Sequence, residues 1–130
     1  LRALSRSLFV SADMAHAVHP AFTDRHEPQH MPRLNQGPVV KVNASLRYAT
    51  DGATQARFER ACREADVPFQ RFVSRTDLAC GTTIGPITAA RLGLPVVDVG
   101  NPMLSMHSIR EMAGARDHEL MIRALTRVLG

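Results

Sequence analysis

Four short stretches carry residues whose types and spacing could do chemistry. In HEPQH, His26 and His30 stand four apart, with Glu27 directly after the first. That spelling is the H-E-x-x-H pattern, in which two histidines on one helical face bind zinc and the glutamate is the general base. It needs a continuous helix. Pro28 lies inside it, where it removes a backbone donor at a cost of roughly 3 kcal/mol in a helix interior. The proline also drives Glu27 out of the right-handed helical region. Pro20 and Pro32 flank the stretch, and no apolar periodicity surrounds it. HEPQH is therefore expected as a surface loop between two strands, near the site mouth or a subunit contact, without the zinc site its letters spell.

In SADMAHAVHP (11–20), Asp13 ends a strand-like run and is followed by His16 and His19. Ligands of open α/β sheets bind outside the carboxyl ends of strands, so Asp13 is a candidate metal ligand or catalytic group. The plainer alternative is an aspartate that caps the next turn. In LSMHSIRE (104–111), His107 follows a turn containing Pro102. By itself it reads as a structural histidine more readily than as a ligand. Ser105 and Ser108 beside it make no nucleophile pair, because such partners meet in space rather than in sequence. CGTTIGP (80–86) lacks the Gly-Lys-Ser/Thr ending of a phosphate loop, which excludes that mode of nucleotide binding. Its amides before a helix could hold an anion or oxyanion, although a tight loop entering a helix is the simpler account.

These stretches need elements to position them. LFVSAD (8–13) reads as a strand with Leu8, Val10 and Ala12 on one face and Phe9, Ser11 and Asp13 on the other. GPVVKVNAS (37–45) reads as a second strand, with Val40, Val42 and Ala44 opposite Lys41 and Asn43. Asp51 or Thr54 could cap a helix running to about Ala65, whose stripe of Phe58, Ala61, Cys62 and Ala65 faces a core. Cys62 is then a small buried apolar residue. FQRFV (69–73) is a short third strand. CGTTIGP leads into a helix ending at Gly93, placed to end it ahead of Pro95. PVVDVG (95–100) is a run of buried-strand type. Two helical pieces follow, one around Ser108–Ala113 and one over Asp117–Leu129, the latter with Leu120, Met121, Ala124, Leu125 and Val128 on its apolar face. Strands alternating with helices predict an α/β layered fold.

With 130 residues, 45% of them hydrophobic and 22% charged, the chain is one soluble globular domain's worth, or part of a larger domain. No stretch approaches the ~20 apolar residues of a membrane span. The opening LRALSRSLFV carries two arginines and no cleavage site, so no signal peptide is expected. It also lacks an initiator Met, and the chain reads as a piece of something longer. The net charge of +4 does not imply nucleic acid, because the arginines are scattered and no aromatic residues interleave with them. Cys62 and Cys80 form no CxxC motif and no disulfide framework, which suits reduced thiols in a cytosolic protein.

Taken together and in order, SADMAHAVHP, HEPQH, GPVVKVNASLRYATD, CGTTIGPITAARLG and LSMHSIREMAG resemble the aspartyl aminopeptidases, cytosolic dinuclear zinc exopeptidases. The resemblance covers nearly the whole chain. It implies a zinc-peptidase-like α/β layered sheet with flanking helices and removal of N-terminal Asp or Glu from peptides. It implies two zinc ions in a complete site, although one Asp and one His would also suit manganese or cobalt. Asp13 matches the aspartate ligand of one zinc and a substrate contact, and His107 the histidine ligand of the other. His16 matches a substrate-contacting histidine. Lys41 and Tyr48 match the residues that hold the acidic side chain, and an ammonium and a phenol suit a carboxylate.

One departure is large. The family's first histidine ligand, its bridging aspartate, its adjacent glutamate pair and its dimerisation domain lie upstream of SADMAHA and are not in this chain. Residues 1–130 are thus expected to be the C-terminal segment of a metallopeptidase catalytic domain, lacking the general base and three metal ligands, and inactive alone. The full-length protein is expected to be a cytoplasmic homo-oligomer with no membrane or nucleic-acid partner. The alternative is a non-catalytic α/β interaction or assembly module with a degenerate site.

Overall fold

The structure, a computed structural model, describes residues 2–130. Its frame is a four-stranded sheet of β1 (Phe9–Ala12), β3 (Val39–Val42), β4 (Gln70–Val73) and β5 (Val96–Gly100), in the order β1-β5-β3-β4. β1 runs parallel to β5 and β3 parallel to β4, while β3 and β5 are antiparallel. A second, three-stranded sheet holds β2 (Ala15–His16), β6 (Pro102–Leu104) and β7 (Met112–Ala113), in the order β2-β6-β7. The helices are α1 (Gly52–Glu64), α2 (Ile84–Leu92) and α3 (Ala115–Leu129).

The period-two pattern of the strands sorts their side chains onto two faces. Val40, Val97 and Val99 share a buried cluster with Phe58 and Cys62 of α1 and Leu120, Met121 and Ala124 of α3, and Leu8 and Val10 pack against it. The registers Ser11↔Asp98 and Lys41↔Phe72 put the intervening residues on the opposite face, and continuing the β3–β5 pairing sets Lys41 opposite Asp98. Helix α2 covers part of that face. A Cβ on its Gly85 would stand 2.3 Å from the Asp98 carboxylate, so glycine is required for the helix to approach so closely.

The predicted ends of α1 and α2 are those found. Asp51 and Thr54 form a reciprocal capping box, the Asp51 carboxylate accepting the Thr54 N–H at 2.7 Å. Gly93 closes α2 in the left-handed region, at φ 62°.

The helical piece expected around Ser108–Ala113 is not a helix. Ser105 and His107 adopt left-handed φ of 57° and 68°. Side chains then satisfy the local backbone: Glu111 accepts the His107 N–H at 2.6 Å and Ser108 accepts the Arg110 N–H at 3.0 Å. Such local acceptors compete with helical bonding. Ile109 projects fully into solvent, so no apolar stripe draws the segment onto the core. The segment ends in β7 instead.

The two sheets meet where β1 gives way to β2 and β5 to β6. The ladder continues across the break, with Asp13 N–H bonded to Val99 O at 3.0 Å and Ala15 N–H to Asn101 O at 2.8 Å. A Cβ on Gly100 would lie 1.9 Å from the Asp13 carbonyl oxygen. Gly100 therefore lets the backbone of Asp13 cross the end of β5, and this crossing places Asp13 at the mouth of the polar face.

Candidate active site

At the carboxyl ends of β1 and β3, a cavity of about 120 Å³ is lined by Asp13, His16, Lys41, Tyr48 and His107, together with Phe72 and the Gly81–Thr83 loop. The five residues singled out from sequence therefore meet in one place, although 94 positions separate Asp13 from His107.

Lys41 sits deepest. Its side chain is only 3% exposed, and its Nζ donates to the Met14 carbonyl at 2.9 Å. The nearest carboxylate, Asp13 Oδ2, is 3.6 Å away, in ion-pair range but beyond a hydrogen bond. The ammonium also lies 5.6 Å from the centre of the Tyr48 ring. Burial pulls the Lys41 pKa below its ordinary value, opposed by the charges of Asp13 and Asp98. An ammonium has three donors. Only one makes a hydrogen bond among the described residues; Asp13 adds an ion-pair contact, and two donors can still turn to a further acceptor.

Tyr48 is buried at 6% exposure, with its ring edge-on to Phe72 at 6.3 Å. Burial first, and Cys80 beside it second, raise its pKa well above the ordinary phenol range. It is therefore a hydrogen-bond donor across the whole physiological range. His16 has a lowered pKa, first through partial desolvation and then through His26, His107 and Lys41. It presents a neutral imidazole at neutral pH.

Asp13 is open to solvent, with one oxygen accepting the Met14 N–H at 2.6 Å. His107 lies on the exposed turn between β6 and β7. Carboxylate and imidazole are a fitting donor pair for zinc. Among the described residues, however, no three His, Cys, Asp or Glu side chains converge to hold a metal ion. The pair could supply part of a coordination shell and not the whole of it.

HEPQH is a loop, as Pro28 predicts. His26 has extended backbone, at φ −106° and ψ 152°, following a single 3-10 turn at Thr23–Arg25. His30 Nδ1 bonds to Glu27 Oε2 at 2.5 Å, so that pair satisfies itself. The expectation of a surface loop fails at one residue. His26 is 8% exposed, stands edge-on to Phe72 at 5.9 Å, and lines a second cavity of about 220 Å³. That cavity shares His16, Tyr48, Phe72 and Gly81 with the first.

Asp98 lies in PVVDVG, whose apolar run predicts a buried strand and no site residue. It is fully buried, and its carboxylate accepts from the Ala49 N–H and the Thr83 hydroxyl, each at 2.6 Å. The available signal was a lone charge inside an apolar run.

Residues 1–128 match the model of a family of zinc metalloproteases. The chain belongs to that family, M18, whose model is described as aminopeptidase I zinc metalloprotease. It is 54% identical over 128 residues to a probable M18 family aminopeptidase 2 of Streptomyces coelicolor, covering 98% of this chain and 30% of that protein. It is 59% identical over 117 residues to the protein of the same description from Mycobacterium tuberculosis, covering 90% of this chain and 27% of that one. Among solved structures it superposes on the S. cerevisiae mApe1 dodecamer with a TM-score of 0.86 at 29% identity, over 97% of this chain and 27% of that one. On a chain of a structure of the Ape4 and Nbr1 complex the TM-score is 0.93 at 48% identity, over 95% of this chain and 24% of that one. The chain thus spans about 30% or less of the length of these relatives. No helix among the described residues is long and apolar enough to cross a membrane.

Proposed function

We propose that this chain is the C-terminal segment of an aminopeptidase that removes N-terminal Asp or Glu from peptides with two zinc ions. In this reading Asp13 is a ligand of one zinc and His107 of the other. Asp13, His16, Lys41 and Tyr48 contact the substrate. The upstream part of the enzyme supplies the remaining ligands and the general base. When bound, the zinc pair would activate water and stabilise the developing oxyanion.

The observation that carries this reading is the buried Lys41 ammonium at the base of the Asp13–His107 cavity. Burying a charge without a full set of partners is costly. A carboxylate delivered by the substrate would complete the set, taking the two remaining N–H donors and the Tyr48 hydroxyl. A neutral side chain would leave the ammonium short of partners, and that difference is what selects acidic residues. The carboxylate–ammonium contact holds the peptide so that its N-terminal end faces Asp13 and His107.

A homo-oligomer in the cytoplasm fits this reading. A relative assembles as a dodecamer, and both cysteines here are free, as in a reducing compartment. The test compares the isolated 130-residue chain with the same residues exchanged into the S. coelicolor relative. The exchange protein is expected to hydrolyse Asp- and Glu-anilides in preference to Ala- and Lys-anilides and to stop when zinc is chelated. The isolated chain is expected to bind zinc weakly and cleave nothing. Turnover by the isolated chain, or indifference of the exchange protein to the N-terminal side chain, would overturn the reading.

A further inference from the structure

We infer that Asp98 is the positioning residue of this site: one buried carboxylate fixes the two loops that form the acid-binding wall, without touching substrate. The inference rests on the acid-selecting role proposed above for Lys41 and Tyr48.

Asp98 stands in the middle of β5, where Val96, Val97 and Val99 serve packing. A carboxylate there costs desolvation that a fourth valine would not, so its bonds show what it does. One oxygen accepts the N–H of Ala49, next to Tyr48, and the other accepts the hydroxyl of Thr83, at the end of the Gly81–Thr83 loop. Its own N–H donates to Thr50 Oγ1 at 2.9 Å, a second tie to the Tyr48 segment. Both oxygens are thus held by short bonds to separate loops, 34 residues apart in the chain. Gly85 belongs to the same device, because a Cβ there would stand 2.3 and 2.5 Å from the two oxygens. The loops are also joined directly, by Thr82 Oγ1 donating to Arg47 O at 3.0 Å. Losing the Asp98 carboxylate would leave Lys41 in place on β3 and the backbone bond to Thr50 intact, but would unpin Ala49, beside Tyr48, and the opposite wall together. Selectivity should then fall before the fold does.

The test uses the exchange protein with Asp98→Ala, Thr83→Val and Thr83→Ser, assayed on Asp- and Ala-anilides. Asp98→Ala and Thr83→Val are expected to raise KM for the Asp-anilide about tenfold to a hundredfold, the range of an ångström-scale misplacement. The preference for Asp over Ala should drop in step, while kcat changes only a few-fold. Thr83→Ser, which keeps the hydroxyl, should restore wild-type values. Alkylation of Cys80, on the released loop, should accelerate in the first two variants, with buried Cys62 as the internal control. If kcat falls while KM and the Asp preference stay put, or if Thr83→Ser behaves like Thr83→Val, the inference is wrong. Should the wild-type protein lack any Asp preference, the proposed function fails, and the Cys80 rates decide the positioning role by themselves: unchanged rates overturn it.

Discussion

The two faces of the four-stranded sheet are made by alternate residues of the same strands, yet they obey opposite rules. Toward α1 and α3 the strands present Val40, Val97 and Val99, against Phe58, Cys62, Leu120, Met121 and Ala124. Toward the cavities they present Ser11, Asp98, Lys41 and Phe72. Both faces are buried. The first gains stability from apolar area removed from water, of order 25 cal/mol per Å². The second gives some of it up: an ammonium, a carboxylate and a hydroxyl lie within it, and Ser11 Oγ has no partner among the described residues. Stability is concentrated on one face and chemistry on the other.

The largest effects should come from crossing the two faces with a pair of substitutions. Phe58→Ala empties a fully buried aromatic site and should cost about 3–5 kcal/mol of unfolding free energy. His107→Ala removes an exposed side chain and should change stability by no more than about 0.5 kcal/mol; Asp13→Ala also takes the ion-pair partner from buried Lys41 and should cost more than that, yet less than Phe58→Ala. In the exchange protein, however, each should reduce turnover to the detection limit. Urea unfolding beside kcat checks both. A stable Phe58→Ala, or an active Asp13→Ala, would break the division between the faces.

Lys41→Met sharpens it. The methionine keeps the unbranched shape, one atom shorter, and loses the charge. The preference for Asp over Ala should fall about 10- to 100-fold, as expected when hydrogen bonds to a charged group worth roughly 1.5–3 kcal/mol are lost. Stability should hold or rise, because replacing a buried charge by a well-packed apolar group is often neutral or favourable. A strongly destabilised Lys41→Met with intact preference would show that the ammonium serves the fold rather than the substrate.

How legible these faces were in the sequence follows from length and periodicity. The strands at 9–12, 39–42, 70–73 and 96–100 and the apolar stripes of α1 and α3 were read correctly, since each spans enough residues to show its period. The second sheet was not foreseen. Its strands have two or three residues, too few for alternation, and pairing alone defines them. Around His107, left-handed backbone and side-chain acceptors replaced the expected helix. The family resemblance named Asp13, His16, Lys41, Tyr48 and His107, but only the crossing at Gly100 brings Asp13 beside Lys41. Asp98 stayed hidden because a strand buried on both faces shows no alternation to mark a functional position. Pro28 correctly ruled out helical geometry in HEPQH, yet nothing local told that His26 turns inward.

That inward turn gives the smallest effect, and it concerns pH. Burial lowers the His26 pKa below its ordinary value, and neither ring nitrogen has a hydrogen-bond partner among the described residues. The unfolded chain, whose histidine titrates near 6.5, therefore binds more protons than the folded one between the two values. Stability from this residue is intact above about pH 7, falls as the pH drops through 6.5 and levels off below the folded pKa. The slope is at most about 1.4 kcal/mol per pH unit for one proton. His16, also lowered, adds in the same direction. His26→Phe keeps a ring beside Phe72 and removes one titrating group, so the loss of urea resistance between pH 7.5 and 5.5 should shrink but not vanish. If the variant keeps the full wild-type slope, His26 is solvated in solution, and the polar face is more open than its burial implies.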